Sequence, residues 1–179
     1  MNTSNITIRQ ETENDHKAVF TLIEKAFESL EISDHKEQFL VERLRKSDAF
    51  VPELALVAEL DQQIVGYILL TKVVIKNEKQ SVVSLCLAPV AVLPEYQNGG
   101  VGEKLIRAAH IKAAELGFKS IVLLGHEAYY PRFGYQQLHQ YNIQLPFDAP
   151  KENCMVIELT EDALYGISGK IEFPGAFFE

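Results

Sequence analysis

The segment "AVLPEYQNGGVGEKLI", Ala91 to Ile106, passes from an apolar run through a glycine-rich turn straight into helical periodicity. A strand that ends in Gly-Gly-Val-Gly at a helix start gathers free backbone N–H groups and the positive end of a helix dipole in one place, with no side chains to block approach. Such a junction either holds an anion or is a glycine-lined turn that permits close packing. Both readings demand a strand on one side and a helix on the other.

The flanking sequence supplies both. From Gly99 to Leu116, Val101, Leu105, Ala109 and Leu116 line one side of a helix and Glu103, Lys104, Arg107 and Lys112 the other, with Gly117 as the stop. "KSIVLLG" follows as a fully apolar strand, and strand, helix, strand implies a right-handed parallel crossover. Upstream, "LALVAEL" and "IVGYILLTKVVI" flank "DQQ" and read as an antiparallel hairpin. "VVSLCLAPVAVL" is a further strand in which Pro89, unable to donate to a ladder, marks a bulge or break.

Before the hairpin, "ITIR" alternates like a short strand. A helix capped at Asn14 or Asp15 then carries Val19, Leu22, Ile23, Ala26 and Phe27 on one stripe. A second helix places Phe39, Leu40 and Leu44 inward behind an Asp34–Glu37 capping box. After the crossover, "HEAYYPRFG" is a short helix or loop, "YQQLHQYNIQL" is extended, and "CMVIEL" is a strand. The 179 residues are expected to form one mixed α/β domain, residues 1–179, without linkers or repeats.

Charge narrows the partners. The 17 Lys+Arg against 25 Asp+Glu leave a net charge of −8 with no dense basic run, which disfavours nucleic acid and tolerates a cationic substrate. "MNTSNITIRQETEND" has no apolar core of signal-peptide length and no stretch reaches a membrane span, so a cytoplasmic location is expected. Cys86 and Cys154 sit in apolar runs and read as buried reduced thiols; neither they nor His16, His35, His110 and His139 have metal-ligand spacing, so no metal is expected.

Spacing then sorts the anions. A G-x-G-x-x-G dinucleotide fingerprint fails because Leu105 stands where its third glycine belongs when Gly100 is the first. A Walker A loop fails because Lys104 lies between Glu103 and Leu105. What remains is Gln97-x-x-Gly100-x-Gly102, which resembles the Q/R-x-x-G-x-G/A pyrophosphate signature of the GNAT superfamily of N-acetyltransferases. "LAPVAVLPEYQNGGVG", "LLGHEAYYPRFGY" and "ALYGISGKIEFPGAF" extend the resemblance over nearly the whole chain and look like its YhbS-like branch.

The resemblance implies a GNAT fold: a mixed, mostly antiparallel sheet with a splayed parallel central strand pair, flanked by helices. It implies that backbone N–H groups of Gln97, Asn98, Gly99, Gly100, Val101 and Gly102 hold the pyrophosphate of acetyl-CoA (coenzyme A), and that Val90, Ala91 and Val92 pair with its pantetheine arm. Pro89 stands one residue before that pairing segment, where the strand must part from a neighbour.

The implied chemistry is transfer of an acetyl group to an amine of a small molecule or peptide, directly, in a ternary complex. An amine of pKa near 10.4 is mostly ammonium at pH 7, so freeing its lone pair costs roughly 4 to 5 kcal/mol. An N–H from Val90 to Val92 could stabilise the developing oxyanion. For the proton donor to the departing thiolate the family match selects Tyr130, four residues before Gly134, with Tyr129 in the aromatic place before it and Arg132 supporting the loop or the cofactor. "SLCLAPVAV" lacks the carboxylate that family members carry on the fourth strand; Glu37, Glu53, His126 and Glu127 are the nearest candidates for a base. That gap also leaves open a non-catalytic acyl-CoA-binding module. The chain is expected to be a monomer or homodimer.

Overall fold

The computed structural model describes residues 5–30 and 33–179. Its elements are β1 (Thr7–Gln10), α1 (His16–Phe27), α2 (Glu37–Arg45), β2 (Ala55–Leu60), β3 (Gln63–Lys76), β4 (Ser81–Val92), α3 (Val101–Glu115), β5 (Ser120–Leu124), β6 (Gln136–Gln137), β7 (Ile143–Gln144), β8 (Cys154–Glu158) and β9 (Gly169–Glu172). The sheet runs β1-β2-β3-β4-β5-β8-β6, antiparallel along this path except where β4 meets β5, and off the path β7 pairs β9 in parallel. β3 is its spine: β4 pairs one side along most of its length, while β2 and then β9 share the other. No helix among the described residues is long and apolar enough to cross a membrane.

The expected hairpin forms, and Asp61 and Gln62, both at positive φ, make its tight turn. The crossover also forms as expected, with α3 between the parallel strands β4 and β5. α3 buries Val101, Leu105, Ile106, Ala109 and Ala113, whereas Leu116, expected inward, lies beyond the last turn and is exposed. Together with Leu85, Leu87, Tyr130, Phe133 and Tyr135 this stripe forms the core on one face of the sheet. Each fully buried leucine or isoleucine there is worth about 1.5–3 kcal/mol, enough to fix where the first turn of α3 stands.

α1 and α2 cover the other face. α1 buries Val19, Leu22, Ile23 and Ala26 as expected, whereas Phe27, expected on the same stripe, is only half-buried. Its start is tied to β1 and β2 by Arg9, which donates to both oxygens of Asp15 (2.7 and 2.9 Å) and to Glu59 (2.8 Å). Asp15 does not cap α1; its carboxylate reaches back to the N–H of Thr12 at 2.8 Å.

α2 departs further from expectation. Its buried residues are Gln38, Val41 and Leu44, and Phe39 turns outward, 46% exposed, edge-on to Phe20. The Asp34–Glu37 box is absent, because Lys36 is the cap position and Glu37 accepts a hydrogen bond from Ser33. Within the acidic stretch around α2, residues 31 and 32 lie outside the described residues. The stretch from Tyr135 to Leu145 is not one strand: β6 and β7 are two residues each, separated by a turn at Leu138–Tyr141 and by Asn142 at positive φ.

Candidate functional site

Two hydrogen bonds close β4 and open the glycine turn. The Leu93 N–H donates to Val65 O at 3.0 Å, and a single turn at Pro94–Tyr96 follows, in which the Gln97 N–H donates to Pro94 O at 3.3 Å. Asn98 (φ 60) and Gly100 (φ 82) then take left-handed conformations, the second as the N-cap residue of α3. Lys104 is the first residue whose N–H returns to the helix, bonding Gly100 O at 3.1 Å. Among the described residues, the backbone N–H groups of Asn98 through Glu103 have no acceptor, which makes a run of donors at the positive end of a 15-residue helix.

Gln97 therefore differs from expectation. Its N–H is spent on Pro94, and its side-chain amide donates to Val92 O at 3.1 Å, bracing the loop against β4. The donor run begins one residue later and ends one residue later than the sequence implied.

The edge of β4 is open where the run begins. Parallel pairing with β5 stops at Leu85–Ile121 and Cys86–Val122, and just past it Ala88 and Pro89 stand opposite the single residue Leu69, a bulge at the proline as expected. Because the Leu93 N–H turns toward β3, antiparallel alternation turns both polar groups of Ala91 to Tyr67 and those of Val90 and Val92 outward. With Val92 O held by Gln97, the free groups on that lip are the N–H and C=O of Val90 and the N–H of Val92. Ala91 contributes side-chain packing under α1 and α2 instead.

The opposite lip is the end of β5. Gly125 is clamped there by two hydrogen bonds, its N–H to Asn153 O and its carbonyl from Asn153 Nδ2, both 2.9 Å. The ring of Tyr130 packs directly against Gly125: a Cβ at that position would stand 2.3 Å from ring atom Cε2. Only glycine admits this approach. Tyr130 is 8% exposed, edge-on to Tyr129 and Tyr135, and burial, with smaller contributions from Tyr129 and Cys86, pushes its phenol well above the usual tyrosine range.

Tyr129 points elsewhere. Its hydroxyl is 3.0 Å from where a Cβ on Gly102 would stand, at the first turn of α3. It lines a cleft of about 510 Å³ together with Gln97, Asn98, Gly100, Gly102 and Arg132. Larger depressions of about 900 and 780 Å³ lie beside β9 and beside α1, and neither includes the start of α3 or the end of β5.

Of the sequence candidates for a base, His126 accepts the Ala128 N–H on Nδ1 at 3.2 Å and Glu37 is held by Ser33, so both are engaged locally. Glu127 and Glu53 are exposed. Cys86 and Cys154 are buried free thiols, and burial pushes Cys86 up to about 12. Among the described residues no group of three or more metal-ligating side chains comes together.

Residues 52–137 match the model of the acetyltransferase (GNAT) domain. The chain is 30% identical over 171 residues to the uncharacterized N-acetyltransferase YhbS of Escherichia coli K12, spanning 95% of this chain and 97% of that one. It is 41% identical over 101 residues to the uncharacterized N-acetyltransferase YjhQ of the same organism, a match that spans 56% of each chain. Among solved structures, that of E. coli YhbS in complex with CoA superposes with a TM-score of 0.87 at 27% identity, over 98% of this chain and 93% of that one. A GNAT family acetyltransferase from Brucella melitensis in complex with acetyl-CoA gives 0.79 at 30% identity, over 96% and 97%.

Proposed function

We propose, since the chain belongs to the GNAT family of acetyltransferases, that it moves an acetyl group from acetyl-CoA to an amine by direct transfer with both substrates bound. The observation that carries this reading is the continuity of the site. Free N–H groups run from Asn98 to Glu103, the open edge of β4 adjoins them, and the lip where β5 ends carries Tyr130.

The residues present fit such a donor. A diphosphate needs several convergent N–H groups and no intruding side chain, and Asn98 to Glu103 supply the donors around Gly100 and Gly102. An amide-bearing arm needs strand-like partners, and Val90 and Val92 offer theirs at an edge that β5 has left. When bound, acetyl-CoA supplies the acyl group as a thioester.

The rest is done by the chain. The N–H of Val90 or Val92 donates to the acyl oxygen as charge develops there, from a backbone already fixed by β3, so no reorganisation is required at that moment. Tyr130 presents its hydroxyl to the leaving sulfur. Its raised pKa keeps the phenol protonated throughout the working range, which suits a hydrogen-bond donor and makes full proton loss costly. Cys86, held as a thiol by burial, is a poor nucleophile, and this favours direct transfer over an acyl-cysteine. The acceptor is an amine of a small molecule or peptide; of the four candidate bases, Glu37 and His126 are engaged locally and Glu53 and Glu127 are exposed.

The test is Gly100→Glu, which puts bulk and negative charge where the diphosphate must sit. Thermal stabilisation by acetyl-CoA, which follows mass action, should vanish while the unliganded variant still melts cooperatively, and thiol release with a panel of amines should cease. Undiminished stabilisation in this variant refutes the placement. Stabilisation of the parent without turnover of any amine points instead to a non-catalytic acyl-CoA-binding module.

A further inference from the structure

The backbone donors at the start of α3 carry no net charge, yet the group they are proposed to hold is a dianion in a protein whose formal charge is −8. Something on the chain should balance it. Arg132 lies in the same cleft as the donor run. Its guanidinium stacks on the ring of Tyr129 at 4.1 Å and also faces Phe133 at 4.8 Å. Among the described residues no carboxylate pairs with it.

Arg107 makes the contrast. It faces the same Phe133 at 5.4 Å, but it is tied at 2.8 Å to Glu103, itself on the wall of the cleft. One arginine is thus neutralised at the mouth while the other keeps its charge.

The stack is also rigid. Tyr129 is fixed edge-on by Tyr130 (5.1 Å) and Phe133 (5.4 Å), and its hydroxyl rests over Gly102. A guanidinium lying on a fixed ring loses less freedom on gripping a phosphate than a lysine would, and it presents two parallel donors to two oxygens.

We infer that Arg132, seated on Tyr129, is the charged jaw that closes on the diphosphate from the side opposite the Asn98–Glu103 amides, and that it makes the enzyme selective for diphosphate-bearing acyl donors over shorter pantetheine thioesters. The inference rests on the coenzyme A reading above and adds to it a side-chain determinant of donor choice. The Tyr129 hydroxyl, beside Gly102, supplies a neutral donor to the same group.

The experiment is calorimetric titration of the parent, Arg132→Gln, Arg132→Lys and Tyr129→Phe with coenzyme A, dephospho-coenzyme A and pantetheine at low and high potassium chloride. Arg132→Gln should bind coenzyme A and dephospho-coenzyme A about tenfold more weakly, the scale of one charge-assisted hydrogen-bonded contact. Pantetheine affinity should not change, and the weakening by salt should become shallower than in the parent. Arg132→Lys should recover part of the loss and Tyr129→Phe should lose a few-fold.

Three results overturn the inference. Parent-like binding of coenzyme A by Arg132→Gln removes the jaw. An equal loss for pantetheine makes Arg132 a support of the loop only. A loss for coenzyme A but not for dephospho-coenzyme A moves the guanidinium to the 3′-phosphate. The underlying reading fails separately, and the inference with it, when the parent itself does not bind coenzyme A or when Gly100→Glu binds it undiminished.

Discussion

Gly125→Ala tests whether the hydroxyl of Tyr130 is where the chemistry needs it. A Cβ on Gly125 would stand 2.3 Å from Cε2 of Tyr130 and 2.9 Å from Cδ2. Ordinary carbon contact is about 3.5 Å, so the ring must retreat by about 1.2 Å. It has little room to do so, because Tyr129 and Tyr135 stand edge-on to it at 5.1 and 5.7 Å between ring centres and the surrounding core is close-packed. Overpacking of this kind costs about 1–3 kcal/mol of stability, which thermal melting will register. The larger effect should be kinetic. Displacing a positioned group by about 1 Å costs on the order of 10²-fold in rate. Thiol release from acetyl-CoA, with the best acceptor of an amine panel, should show kcat reduced about a hundredfold, with coenzyme A affinity within roughly twofold of the parent because the diphosphate cleft is distinct. Tyr130→Phe keeps the ring and removes the hydroxyl, and should lose a similar factor as the removal of one positioned hydrogen-bond donor to the leaving sulfur. The two changes should then be non-additive: in the Tyr130→Phe background, Gly125→Ala should cost little more. A silent Gly125→Ala, or losses that multiply in the double variant, would refute a role that passes through the Tyr130 hydroxyl.

Two further outcomes follow from buried titratable groups. His110 bonds the hydroxyl of Tyr135 at 2.9 Å, and burial, helped by the charge of Arg107, pulls its pKa down to about 4. Between the ordinary value of about 6.5 and that one, the unfolded chain takes up a proton that the folded chain refuses, so stability is full above the window and falls as pH falls through it, by at most about 1.36 kcal/mol per pH unit. His110→Gln, which can still accept from Tyr135, should flatten the melting temperature across this window relative to the parent; parallel curves would remove His110 as the cause. Cys86→Ser should keep turnover within a few-fold after correction for the stability lost to a buried hydroxyl, and a trapped acetylated cysteine in the parent, seen by mass spectrometry, would overturn direct transfer.

The parts of the fold legible in the sequence are those whose signals are local. α3 and its turn show because glycine spacing, periodicity and the stop at Gly117 all agree. The bulge at Pro89 shows because a proline inside a strand has few other meanings. The inward face of α2 does not: in nine residues, Phe39, Leu40 and Leu44 compete with Val41 and Leu44 for the same role, and burial of Gln38 decides against hydrophobicity. β9 is not legible because "GKIE" is short and polar, and its partner β3 lies about a hundred residues away. At the candidate site, the glycine spacing marks the turn, but which amides are free depends on facts outside it. Pro94 takes the N–H of Gln97, and the register against β3 takes both polar groups of Ala91.

The tyrosine pair shows most clearly what tertiary contacts add to a motif. Tyr129 and Tyr130 are neighbours in sequence, yet their rings stand at 87° to one another. Each has its own glycine seat, Tyr129 at Gly102 in the first turn of α3 and Tyr130 at Gly125 past the end of β5. Gly102 lies on α3 and Gly125 just past β5, so the segment from Tyr129 to Phe133 reaches from the first turn of α3 to the end of β5. Tyr129 thereby falls in the cleft at the start of α3 with Arg132, and Tyr130 falls on the strand side, near Cys86, where parallel pairing ends. Their positions are not interchangeable, because the seats are set by the strand and the helix and not by the tyrosines. One short segment thus seats both rings, Tyr129 in the cleft at the start of α3 and Tyr130 against Gly125 past the end of β5.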